Sequence, residues 1–112
     1  EMLKNAGLTF IGCCNELNAG YAADGYARGS GKLGVVVVTY MVGALSLINA
    51  VAGAFSDDLP LLVVVGSPNT NDLVERHVVH HSLGSGSLDQ CRRAFDPVVT
   101  HVFSVYSPKD AP

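Results

Sequence analysis

LGVVVVTYMVGALSLINAVAGAFSDDLPLLVVVG, residues 33–66, decides the fold. It opens with a β-branched run, residues 33–39, that reads as a strand buried on both faces. Val42 and Gly43 turn the chain into a helix that ends near Ser56. Leu45, Ile48, Ala52 and Phe55 recur at helical spacing, and Leu47, Val51 and Ala54 add a second apolar side. Asp57 and Asp58 lie at its C-terminal end, where the helix dipole disfavours acids. Pro60 prevents continuation, and residues 61–66 read as a second buried strand.

Working outward, Asn15 starts a helix that runs to about Arg28 and is stopped by Gly29-Ser30-Gly31. Its residues are mostly small (Ala19, Gly20, Ala22, Ala23, Ala27), which lets another element approach closely. Asp24 and Arg28 stand one helical turn apart and can pair. Residues 8–13 read as a further strand, and residues 67–87 as irregular chain. Residues 88–95 read as a helix ended by Asp96-Pro97, and residues 98–105 as a last strand. Alternation of this kind predicts an α/β fold, three layers with a parallel sheet between helices. Ligands on such sheets sit beyond the carboxyl ends of the strands, here residues 13–16, 39–43 and 66–71.

Residues 1–7 read as the tail of a helix stopped by Gly7. Ser107 and Pro108 read as the cap and first residue of another helix. The expectation is a partial domain over residues 1–112, truncated at both ends.

The 112 residues allow one domain, and 48 % apolar against 15 % charged residues fits a globular one. With 7 basic and 10 acidic residues the net charge is −3, which argues against nucleic acid as a partner. No apolar run reaches the ~18 residues of a membrane span, and no secretory leader is visible. Cys13, Cys14 and Cys91 give no disulfide framework and suggest a reducing, cytoplasmic setting. The adjacent Cys13 and Cys14 read most simply as buried small residues.

Glu16 stands at the start of a helix directly after a strand. It is either a solvated first-turn acid, or a carboxylate in an apolar cleft that exchanges a proton with a bound heterocycle. His80 and His81, with His77 three residues earlier, are either a surface cluster or a proton-transfer pair. Neighbouring side chains of an extended segment point apart, so both rings can face one site only if the chain bends. Gly84 and the nearby serines permit that bend. A metal site from His77, His80, His81 and Cys91 lacks paired ligand spacing. Gly29-Ser30-Gly31-Lys32 imitates the end of a phosphate loop, but Tyr26 and Leu33 occupy positions where that motif needs glycine and Ser/Thr.

NELNAGYAADGYAR (residues 15–28), VTYMVGALS (38–46), NAVAGAF (49–55), Leu59-Pro60, GSPN (66–69) and His80-His81 together resemble one family. It is the thiamine diphosphate-dependent 2-keto-acid decarboxylases, in particular the pyruvate decarboxylase branch, in their pyrimidine-binding domain. Acetolactate synthases share the glutamate helix but carry His-Glu-Gln where this chain has Asn15-Glu16-Leu17, and Gly-Pro-Gly where it has Met41-Val42-Gly43. The resemblance implies non-oxidative decarboxylation of pyruvate to acetaldehyde and carbon dioxide. A bulkier keto acid such as indolepyruvate or phenylpyruvate, or a non-catalytic assembly role, are the alternatives. By the same resemblance Glu16 hydrogen-bonds the aminopyrimidine ring of thiamine diphosphate, and Thr39, Val42 and Gly43 line that ring. His80 and His81 serve proton transfers. Magnesium and the diphosphate belong to another domain, contributed by another subunit of a homo-oligomer, so the chain alone is expected to be inactive.

Overall fold

The computed structural model describes residues 5–84, 89–107 and 109. Helix α1 (Glu16–Ser30) begins where Asn15, in extended backbone, accepts the Asn18 N–H on its side-chain oxygen at 2.8 Å. Gly31 ends it: at φ 67° it is left-handed and donates its N–H to the Ala27 carbonyl at 2.9 Å. The glycine run that imitates a phosphate loop is therefore a helix stop.

Strand β1 (Gly34–Val38), helix α2 (Val42–Ser56) and strand β2 (Leu61–Val65) form one βαβ unit. The strands pair in parallel, from Gly34 opposite Leu61 to Val38 opposite Val65. Short helices α3 (Thr70–Glu75) and α4 (Gln90–Phe95) and a 3-10 turn, Asp96–Val98, follow. The α/β class and the parallel pairing thus match the sequence pattern. Among the described residues, however, α1, α2 and α4 gather on one sheet face around Val36 and Val38. Val35, Val37, Leu62 and Val64 are exposed on the other face. Among the described residues the strands read as doubly buried are covered by helices on one side.

Other expectations are corrected. Residues 8–13 make no ladder among the described residues, and Leu8, Phe10 and Ile11 are exposed. Residues 99–105 are likewise unpaired, because a β-branched composition forms a strand only where a neighbouring edge accepts it. Residues 67–84 are not wholly irregular, since α3 lies inside them. Residues 85–88 lie outside the described residues, and α4 starts at Gln90. Glu1–Lys4 and Pro108 also lie outside them, while Gly7 does take a positive φ of 74°. Cys13 and Cys14 are exposed, and only Cys91 is buried.

The buried face of α2 is Gly43, Ala44, Leu47, Ala50, Val51 and Ala54, not the stripe of Leu45, Ile48, Ala52 and Phe55. Small residues decide this. Gly20, Ala23 and Ala27 of α1 are buried against it, so the two backbones approach at their alanines and glycines. A β-carbon built on Gly20 would overlap Leu47 Cδ1 and stand 2.7 Å from the Ala50 β-carbon. Gly20→Ala is therefore expected to destabilise. Overpacking of this kind costs about 1–3 kcal/mol, and the better helix propensity of alanine returns only about 1 kcal/mol. A thermal melt checks it: an unchanged or higher midpoint would contradict the close approach. At their far ends the helices are tied by Arg28, which bonds Asp24 at 3.2 Å and Asp57 at 2.9 Å. Those carboxylates raise the Arg28 pKa further, Asp24 foremost. The Asp57 charge that the α2 dipole disfavours is thereby met by a cation.

Burial raises the pKa of the Cys91 thiol, against a smaller opposing effect from a Met41 backbone hydrogen bond. Burial, and then the charges of Cys91 and Asp89, raise the Tyr40 phenol. The folded chain keeps both protons at pH values where the unfolded chain has released them. Their contribution is whole below the ordinary thiol value of about 8.5 and declines as pH rises through it. Chemical unfolding at rising alkaline pH should show a falling midpoint, and Cys91→Ala should flatten that fall. A midpoint that rises with pH would contradict it.

Candidate active site

The carboxyl ends of β1 and β2 and the first turns of α1 and α2 meet on one side of the sheet. Thr39 leaves β1, and the chain then turns sharply into α2. Met41 makes the turn in a rarely populated conformation, φ 32° and ψ −67°, with its side chain buried. Such a backbone costs of order 1–3 kcal/mol and is held here by the core around Met41. It leaves Val42 exposed at the first position of α2 and Gly43 buried behind it.

Gly43 makes room for Glu16. A β-carbon on residue 43 would stand 3.3 Å from Glu16 Oε1, 3.4 Å from its Cγ and 2.9 Å from Thr39 Cγ2. The half-buried Glu16 side chain thus lies across the first turn of α2, while its own backbone begins α1. The first turns of both helices thus meet at one carboxylate. Glu16, Thr39 and Gly43 are brought together, and exposed Val42 precedes Gly43 in the first turn of α2.

The second cluster lies over the ends of the strands. A shallow recess of about 310 Å³ is lined by Thr39, Tyr40, Gly66, Ser67, Pro68, Asp72, Val79 and His80. His80 and His81 sit with ring centroids 4.0 Å apart and planes tilted by 51°. The bend that joins them is at His81 itself, at φ 65°, in addition to Gly84 at φ 71°. Ser82 closes the turn: its N–H reaches the Val79 carbonyl at 3.2 Å and its hydroxyl donates to the same oxygen at 2.6 Å. The two histidines are the central residues of that four-residue turn. Thr39 belongs to both clusters, touching the space over Gly43 and lining the recess with His80.

His77 points elsewhere, with Nδ1 3.1 Å from Asp72 Oδ1 and Nε2 2.9 Å from Glu75 Oε2. Cys91 is in the core, and no three His, Cys, Asp or Glu side chains among the described residues gather as a metal site. Cys14 accepts the Asn15 side-chain amide on its sulfur at 3.9 Å. Ser67 and Asp72 line the recess without having been singled out in the sequence. The signal for Asp72 was there: Asn69 followed three residues later by an acid marks a helix start. No helix among the described residues is long and apolar enough to cross a membrane.

Residues 1–91 match the family described as thiamine pyrophosphate enzyme, N-terminal TPP binding domain. Pyruvate decarboxylase 3 of Arabidopsis thaliana is 48 % identical over 111 residues, which is 99 % of this chain. Pyruvate decarboxylase 4 of the same plant is 50 % identical, and pyruvate decarboxylase 2 of Oryza sativa subsp. japonica 46 %, each over 111 residues and 99 % of this chain. The chain spans 18–19 % of the length of these relatives.

Proposed function

Because the chain belongs to the thiamine pyrophosphate enzyme family, in its N-terminal TPP-binding domain, we propose that it forms the pyrimidine side of a pyruvate decarboxylase site. The observation that carries this is the Glu16 carboxylate laid against Gly43 and Thr39 at the carboxyl end of β1. The residues fit an aminopyrimidine ring. A carboxylate can exchange a proton with a ring nitrogen, Gly43 leaves no side chain in the way, and exposed Val42 offers an apolar flank. When bound, thiamine diphosphate supplies the nucleophilic carbon and the electron sink that decarboxylation needs.

The chain's own residues hold and steer protons. Glu16 shares a proton with the ring. Thr39, Val42 and Gly43 orient the ring. His80, which lines the recess with Thr39, and its neighbour His81 serve the proton transfers that accompany carbon dioxide loss and aldehyde release. Magnesium and the diphosphate are taken to lie on another domain of a partner subunit in a cytoplasmic homo-oligomer, so the 112 residues alone are inactive.

The intact enzyme should be assayed on pyruvate, indolepyruvate and phenylpyruvate with thiamine diphosphate and magnesium. Pyruvate is expected to show the highest kcat/KM, with acetaldehyde as product. A preference for an aromatic keto acid would move the substrate class and leave the site intact. No turnover and no cofactor binding would make this a non-catalytic assembly domain.

A further inference from the structure

Asp72 lines the recess and bonds on several sides, and nothing in the function above uses it. Its Oδ2 accepts from the Asn69 side-chain amide at 2.6 Å, and its backbone N–H donates to Asn69 Oδ1 at 3.0 Å. Its backbone carbonyl accepts from the Arg76 and His77 N–H groups, the latter at 3.2 Å. Its Oδ1 meets His77 Nδ1 at 3.1 Å. One residue thereby holds both ends of α3 and the start of the segment that follows.

That segment carries the histidine pair. Arg76, at φ 54°, reverses the chain out of α3, and residues 77–79 lead directly into the turn that holds His80 and His81. On the far side the turn is locked by Ser82 to Val79. On the near side His77 ties the segment to α3, lying between Asp72 and the exposed Glu75 carboxylate. Asp72 itself lines the recess with His80. The left-handed residues Arg76 and His81 have no glycine's freedom, so the segment stays in this path only while its bonds hold it.

We propose that Asp72 is a positioning residue for the His80–His81 pair, acting through its contact with His77. It does not touch substrate; it fixes the height of the histidine turn above Thr39 and Ser67. The inference rests on the proposed role of the histidine pair and adds the part of the chain that sets its geometry. A small displacement of a positioned group is enough to cost a large factor in rate while substrate binding is little changed.

The test uses the intact enzyme with Asp72→Ala, His77→Ala, the double variant, His77→Asn and His80→Ala. Asp72→Ala and His77→Ala should each lower kcat about tenfold to a hundredfold, with KM within about threefold. The double variant should lose no more than the larger single loss, since the two side chains act as one unit. His77→Asn, whose amide reaches the place of Nδ1, should recover most of the rate. Hydrogen–deuterium exchange, read without turnover, should quicken in residues 76–84 of the two alanine variants and return in His77→Asn. Multiplying losses, unchanged exchange, or full rate in His77→Ala while His80→Ala is slow would each overturn the positioning role. Full rate in His80→Ala would instead overturn the role of the histidine pair, and this inference with it. His77 is exposed, so its variants keep the test readable if Asp72→Ala fails to fold.

Discussion

Glu16→Gln in the intact enzyme is expected to lower kcat by about a hundredfold to ten-thousandfold, the range for losing a positioned proton-transfer group. The fold should not change. Glutamine keeps the length and shape of the side chain, so it still lies over Gly43 beside Thr39. Asn15, not Glu16, supplies the side-chain bond that caps α1, so the helix start survives the substitution. What is lost is the ability to give and take a proton at the ring. The expected pattern is a normal thermal melt with turnover nearly abolished. A variant with near-normal kcat would show that the carboxylate is only a first-turn acid.

Leu47→Ala is expected to cost about 2–5 kcal/mol, the largest single loss of stability in the chain. Leu47 is completely buried at the centre of α2. It fills the space in front of Gly20, and it belongs to the cluster that includes Val36, Val38 and Phe95. The backbone of α1 already sits close at Gly20 and Ala50, so the helices have little room to close over the cavity. Combining Leu47→Ala with Gly20→Ala provides an internal check. The new methyl occupies the vacated space, so the pair should be less destabilised than the two losses added, by about 0.5–3 kcal/mol of coupling. Strict additivity in chemical unfolding would contradict the contact.

The βαβ unit was legible because its signals are local: a β-branched run, an apolar helix, Pro60, and a second apolar run. The cap at Asn15, the stop at Gly31 and the Asp24–Arg28 pair were legible for the same reason. Which side of α2 is buried was not. Both sides are apolar, and the choice falls to the one whose glycine and alanines let α1 come close. Strand pairing at residues 8–13 and 98–105 depends on partners far along the chain, and composition does not show whether an edge is offered. The valines at 35 and 37 read as buried because the pattern reports the hydrophobicity of a face, not what covers it.

Of the candidate site, the sequence offered residues and not geometry. Glu16, His80 and His81 stood out by position and type, and the resemblance added Thr39, Val42 and Gly43. That Glu16 lies where a side chain at residue 43 would be, and that the histidines share a turn bent at His81, is set by packing and backbone conformation that no local pattern shows. Asp72 escaped notice because acids near helix starts are common and the sequence does not show its contact with His77.

The most direct measurement strips the intact protein of thiamine diphosphate and follows acetaldehyde release from pyruvate before and after the cofactor and magnesium are returned. The account predicts that turnover disappears on stripping and returns on reconstitution in the native protein, and does not return in Glu16→Gln. Turnover that persists without the cofactor, or a Glu16→Gln enzyme restored as fully as the native one, would contradict it.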